Sequence, residues 1–229
     1  MRTRYLEIAV DSLADVKAAT AGGADRLEVC AALDLGGLTP TVGLLHSTAE
    51  SCALPMVAMV RPRGGGFVHS LDELRVMARD IAVMFEHGAA AVIFGVITES
   101  REIDIESCRR LIDACDGRPA VFHRAFDRTT DLPRSLDALI ELGFGRVLTS
   151  GGAPTAIDGA TTLAELRRSA ADRIEILPGG GVRSSNAAAI ITATGCDQLH
   201  TSGRVTVEKN EPPVASAAEL RAIREVLDR

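Results

Sequence analysis

Gly23-Ala24-Asp25-Arg26-Leu27-Glu28-Val29 returns in altered form three more times along the chain. The later versions are Gly88-Ala89-Ala90-Ala91-Val92-Ile93-Phe94, Gly143-Phe144-Gly145-Arg146-Val147-Leu148 and Gly195-Cys196-Asp197-Gln198-Leu199-His200. In each, a helical stretch stops at a glycine, and a small or polar pair leads into a short apolar run. That is how a helix ends on a C′ glycine and passes straight into a buried parallel strand. Successive versions lie roughly 50–65 residues apart, the length of two βα units of about 30 residues each.

Four further apolar runs, at 5–10, 56–61, 119–123 and 173–178, bring the expected strands to eight, each followed by a helical pattern. Helix starts agree with that spacing. Ser70 with Glu73 and Ser216 with Glu219 read as capping boxes. Thr39-Pro40 reads as an N-cap followed by proline at the first helical position, and Asp104 and Asp131 as further N-caps. Beyond Ser70, Leu74, Met77, Ile81 and Met84 recur at helical spacing. Strict alternation with eight strands predicts an α/β fold, a single-domain (β/α)8 TIM-type barrel over residues 1–229, with an open doubly wound sheet as the runner-up. The stretch 206–214 reads as a polar loop before the last helix.

Composition narrows the function classes. The chain has 229 residues, 46% apolar, with no Trp and one Tyr, so its core is built from Ala, Val, Ile and Leu. A net charge of −6 and few lysines leave no basic run, which argues against a nucleic-acid partner. No stretch approaches the ~18 apolar residues of a membrane span, and the N-terminus has no long apolar region of the kind a signal peptide needs. Five cysteines without a CxxC pair predict free thiols in a reducing, cytoplasmic setting.

In such a barrel, chemistry sits at the C-terminal ends of the strands. Strand alternation turns Glu7, Ala9 and Asp11 inward on strand 1, Glu28 and Cys30 on strand 2, and Gln198 and His200 on strand 8. Strand 3 ends at Arg61 and strand 5 at His123-Arg124. Glu7, Glu28, Arg61, His123 and His200 are therefore expected near one mouth, the carboxylates paired with Arg61 or Arg124, because buried charges need partners. This is either a catalytic, ligand-orienting cluster or an ion network filling a small barrel. Asp127 either orients His123 as a base or closes a loop salt bridge with Arg124 or Arg128.

Glycine-rich loops follow several strands: Gly64-Gly65-Gly66, Ser150-Gly151-Gly152, Gly179-Gly180-Gly181 and, after strand 8, Ser202-Gly203. The last two fall where many barrels bind phosphate through backbone N–H groups, which glycine allows a ligand to approach. Tight turns with no ligand are the alternative. Ser150 lacks the context of a GxSxG nucleophile. Cys108 and Cys115 share an apolar helix face and read as core, and Cys196 precedes strand 8 at the far end. Cys30 ends strand 2 at the mouth, while Cys52 ends helix 2 toward the opposite face. A six-residue strand spans about 20 Å, so spacing alone does not bring both thiols to one ion.

Leu-Asp-Leu-Gly-Gly-Leu-Thr-Pro (33–40), Val-Arg-Pro-Arg-Gly-Gly-Gly-Phe (60–67), Phe-His-Arg-Ala-Phe-Asp (122–127), Arg-Val-Leu-Thr-Ser-Gly-Gly (146–152) and Pro-Gly-Gly-Gly-Val (178–182) together resemble the CutC family. The resemblance covers residues from about 5 to 203. It implies a cytoplasmic, oligomeric TIM-type barrel connected with copper homeostasis, and Cu(I) ligation at Cys30 and Cys52. Many family members carry cysteine where Ala9 and Thr201 stand here, so this chain lacks two soft ligands near the mouth. Two functions follow from sequence: a copper-handling protein, or an enzyme acting on a small anionic or phosphorylated metabolite.

Overall fold

The computed structural model describes residues 4–206 and 213–229, so most of the expected loop at 206–214 lies outside the described residues. Eight strands alternate with eight helices: β1 (Tyr5–Val10), α1 (Leu13–Ala21), β2 (Arg26–Val29), α2 (Val42–Ser51), β3 (Met56–Met59), α3 (Leu71–Glu86), β4 (Ala91–Phe94) and α4 (Ile105–Ala114). The second half runs β5 (Ala120–Phe122), α5 (Leu132–Leu142), β6 (Arg146–Thr149), α6 (Ala160–Ala170), β7 (Glu175–Pro178), α7 (Ser184–Thr194), β8 (Gln198–Thr201) and α8 (Ala217–Leu227). The strands are parallel and pair in the order β7-β6-β5-β4-β3-β2-β1-β8. One parallel bridge, Gly179 to His200, joins the two ends and closes the barrel. A two-stranded hairpin, β9 (Arg204–Val205) with β10 (Val214–Ala215), precedes α8 and carries no signal in the sequence.

The core has two shells. Leu6, Ile8, Val10, Leu27 and Val29 face the helices and pack with their apolar stripes. A separate lumen cluster holds Cys30, Val57, Met59, Ala91, Ile93, Val121, Leu148 and Leu177. Strand alternation produces this division, since successive side chains leave opposite faces. The lumen is apolar along β3 to β7, apart from Arg146 at the start of β6, and polar where β8, β1 and β2 meet.

Ser70 and Glu73 form the expected capping box, and Asp104 and Asp131 cap α4 and α5. Two expected starts differ. The N-cap of α2 is Thr41, not Thr39. The Thr39 hydroxyl instead accepts from Arg61 N–H (3.0 Å), fixing the end of β3. Ser216 caps α8, but the Glu219 carboxylate leaves the box for the Ser184 amide and hydroxyl, both at 2.8 Å. Two donors at the start of α7 outcompete one backbone N–H.

Candidate functional site at the open end of the barrel

Glu7, the third residue of β1, points into the lumen and is 1% exposed. It neighbours Arg26 on β2 and His200 on β8 in register. Arg26 Nε donates to its carboxylate, the His200 Nδ1 contact is 2.8 Å, and Arg146 lies 3.9 Å away. Arg26 also reaches Gln198 (2.9 Å), and Arg146 reaches Glu175 (2.6 Å). Arg26, Arg146, Gln198 and Glu175 stand at the starts of their strands and close the N-terminal end, while His200, third in β8, reaches Glu7 from the side of the mouth. Burial acts to raise the Glu7 carboxyl, but the His200 hydrogen bond and the charges of Arg26, His200 and Arg146 hold it down at about 2. The expected pairing with Arg61 or Arg124 is therefore corrected for Glu7.

Glu28 stands two residues further along β2 and lines a cavity of about 1220 Å³ at the C-terminal mouth. It is 3% exposed, and its Oε2 has no hydrogen-bond partner. Burial pushes its carboxyl up to about 7, with the Glu7 charge adding to the rise against His200 and Arg26. For His200, burial opposes the charge, but Glu28 and Glu7 outweigh it and raise the imidazole above its ordinary value. Glu7, Glu28 and His200 each offer a ligand atom within 4.8 Å of the others, the one such group of three among the described residues.

Neither mouth arginine is free for Glu28. Arg61 donates to the carbonyls of Leu35 (3.1 Å), Gly36 (3.4 Å), Gly37 (3.3 Å) and Gly65 (2.7 Å), tying the loops after β2 and β3 together. Its guanidinium also lies 4.7 Å from the centre of the Phe67 ring. Arg124 pairs with Asp127 (2.8 Å) and donates to Ser150 Oγ (2.8 Å). The loop salt bridge is thus the observed arrangement. Asp127 also accepts from Thr149 Oγ1 (2.5 Å), Ser150 N–H (3.1 Å) and Gly152 N–H (3.0 Å), and is not bonded to His123.

His123, at the end of β5, is 4% exposed and packs 4.9 Å from Phe67. Burial, aided by Arg61, lowers its imidazole to about 3, so the ring is neutral. Its place requires Gly95 at the end of β4, where a Cβ would come within 2.5 Å of the His123 ring.

The glycine loops divide. After β6, the N–H groups of Ser150 and Gly152 go to Asp127 and that of Gly151 to Thr149 Oγ1 (2.9 Å), so this loop is a turn with its donors engaged. Gly179 N–H bonds Thr149 (2.9 Å), and Gly203 packs so closely on Leu220 that a Cβ would approach to 2.3 Å. Gly180, Gly181 and Ser202 line the cavity, with Arg183 from the start of α7. Gly180 lies against Arg124, leaving 3.1 Å for a Cβ.

The two cysteines of the family resemblance occupy different shells. Cys30 belongs to the lumen cluster, is fully buried and has its sulfur 3.5 Å from the Val10 carbonyl. Burial, then the Glu28 charge, pushes its thiol well above the usual range. Cys52 caps the end of α2 and packs against the outer core. Sequence reasoning missed Arg26, Arg146 and Arg183. The first two share the inward parity of Glu28 and Leu148, a signal the sequence did contain.

The sequence model of the CutC family matches residues 4–205. A CutC family protein from Treponema denticola is 42% identical over 95% of this chain and 87% of its own length. The human copper homeostasis protein cutC homolog is 41% identical over 88% of this chain and 74% of its own. The crystal structure of CutC from Streptococcus agalactiae superposes with a TM-score of 0.83 at 34% identity, covering 87% of this chain and 99% of that one. A full family match, close relatives and a shared barrel agree: the chain belongs to the CutC family.

Proposed function

We propose that this chain takes part in copper homeostasis, the role for which its human relative is named, and that it acts through the open end of the barrel. The observation that carries the site is the group of Glu7, Glu28 and His200, whose ligand atoms lie within 4.8 Å of one another. Glu7 is already held by Arg26, so Glu28 and the His200 nitrogen facing away from Glu7 are the donors left for an ion. Imidazole with carboxylate suits a borderline divalent ion such as Cu(II), whereas Cu(I) prefers thiolate. A buried thiol raised this far is a poor thiolate source. The free thiols fit a cytoplasmic protein, and the family resemblance suggests a homo-oligomer.

Competition titrations with Cu(I) under reducing conditions and with Cu(II) test this reading, using wild type, His200→Gln and Cys30→Ser. Stoichiometric binding lost in His200→Gln and kept in Cys30→Ser is the expected result. Loss in Cys30→Ser alone would move the ion to the thiol, and no binding of either ion would end the copper-binding reading.

A second reading has its own support: an enzyme acting on a small anionic or phosphorylated metabolite. Five arginines (Arg61, Arg101, Arg124, Arg128 and Arg183) line the cavity, against Glu28, Glu99 and Asp127. Asp127 is already paired, and the raised Glu28 carboxyl is largely protonated below neutral pH. An anion bound to the folded state raises Tm by mass action. Millimolar phosphate is expected to raise the Tm of wild type and not of Arg183→Ala, and equal response of both proteins would sink this reading.

A further inference from the structure

Buried polar side chains in folded proteins are nearly always hydrogen-bonded, so a cluster of exceptions calls for a reason. Among the described residues, eight buried side-chain nitrogen and oxygen atoms have no partner. Four of them, Glu28 Oε2, Arg61 Nε, His123 Nε2 and Arg183 Nη1, belong to residues lining the one cavity at the mouth. Glu28, Arg61 and His123 are each at most 5% exposed. They come from β2, the end of β3, and the end of β5, so the open positions surround the space rather than sharing one wall.

One hydrogen bond to the His123 ring assigns the nitrogen that carries the proton. Ala125 N–H donates to Nδ1 at 3.2 Å, and a ring nitrogen that accepts a hydrogen bond carries no hydrogen. The neutral ring therefore bears its proton on Nε2. Burial and the adjacent Arg61 charge keep the ring from taking a second proton. Nε2–H is a donor without an acceptor, held rigidly by Phe67 and Gly95. This reverses one of the two roles the sequence offered, in which His123 would act as a base.

Resting on the second reading above, we propose that His123 donates a hydrogen bond through Nε2 to a carbonyl oxygen of a small anionic ligand, with a hydroxyl of the same ligand facing Glu28. The anionic group sits at the Arg183 side of the mouth beside Gly180 and Gly181. A neutral donor at a carbonyl oxygen polarises the bond without adding a charge to the site. The ligand class is thus a short hydroxycarbonyl compound carrying phosphate or carboxylate.

Dihydroxyacetone phosphate and glycerol 3-phosphate separate the possibilities, since they differ only in carbonyl against alcohol at the central carbon. Wild type is expected to bind the ketone about 10-fold more tightly, the worth of one good hydrogen bond. His123→Phe should lose that preference, and His123→Gln should restore part of it. Phosphate binding with no preference for the ketone overturns this inference and leaves the second reading standing. No response to either compound or to phosphate overturns both. A measurement independent of any variant is nitrogen NMR of the His123 ring in the wild-type protein. A proton on Nε2 across pH 5 to 8 is expected, and one on Nδ1 would end the proposal.

Discussion

Glu7 and Glu28 enter one lumen from adjacent strands, both almost fully buried, yet their carboxyls are driven in opposite directions, to about 2 and about 7. Burial is the largest influence on both and raises both. The difference is in their partners. At the closed end, Arg26, Arg146 and His200 converge on Glu7 from three strands. At the open end, the arginine that could answer Glu28 is bound to loop carbonyls. One end of the barrel completes its polar network and the other leaves polar atoms open, which is the division between a stability face and a working face in this fold.

The largest effect that would break this comparison is at Glu7. Glu7→Gln leaves the largely buried Arg26 without its countercharge, while Arg146 keeps Glu175, and removing one partner of a buried pair costs about 3 kcal/mol. Urea unfolding at pH 7 measures it. Because the folded-state carboxyl is depressed from 4.5 to about 2, its contribution is complete above pH 4.5. The gap between wild type and variant should close as pH falls toward 2. Equal stability at pH 7 would mean the network merely fills space.

The second effect has the opposite sign. The Glu28 carboxyl rises from 4.5 to about 7, so the folded state holds its proton more tightly than the unfolded one. Its favourable contribution is complete below pH 4.5 and is lost as pH rises through 7. Glu28→Gln, which cannot ionise, should be more stable than wild type at pH 8 by about 3 kcal/mol, the advantage vanishing at pH 4.5. A destabilised variant at pH 8 would show that Glu28 has a countercharge after all.

The barrel was legible because its signals are local and repeated. The glycine before four of the eight apolar runs marks where a helix stops, and alternation along Leu27, Glu28 and Val29 assigns the faces. Residues at strand ends were legible for the same reason. Their partners were not. Arg61 lies at the mouth as expected, but four carbonyls of Leu35, Gly36, Gly37 and Gly65 claim it, and no pattern in the sequence gives the course of those two loops. Asp127 turned on a similar competition, settled by the amides of the β6 loop and the Thr149 hydroxyl. The α2 start was misplaced by two residues because Thr39 and Thr41 are equally good caps in isolation, and only the fold gives Thr39 another partner.

The join between β7 and β8 bears on how this wall behaves mechanically. Elsewhere neighbouring strands are laced over two to four paired residues, but here a single bridge, Gly179 to His200, shuts the ring. The cylinder is a split ring with its cut at that point, and segments held by few backbone hydrogen bonds open at the lowest free energy. His200 is one lip of the cut and also the residue that touches Glu7. The most compliant place in the wall therefore lies beside the imidazole, and because β8, β1 and β2 are laced over four paired residues each, breathing of the ring carries His200, Glu7 and Glu28 together and changes their distance to Gly179 and the β7 loop first.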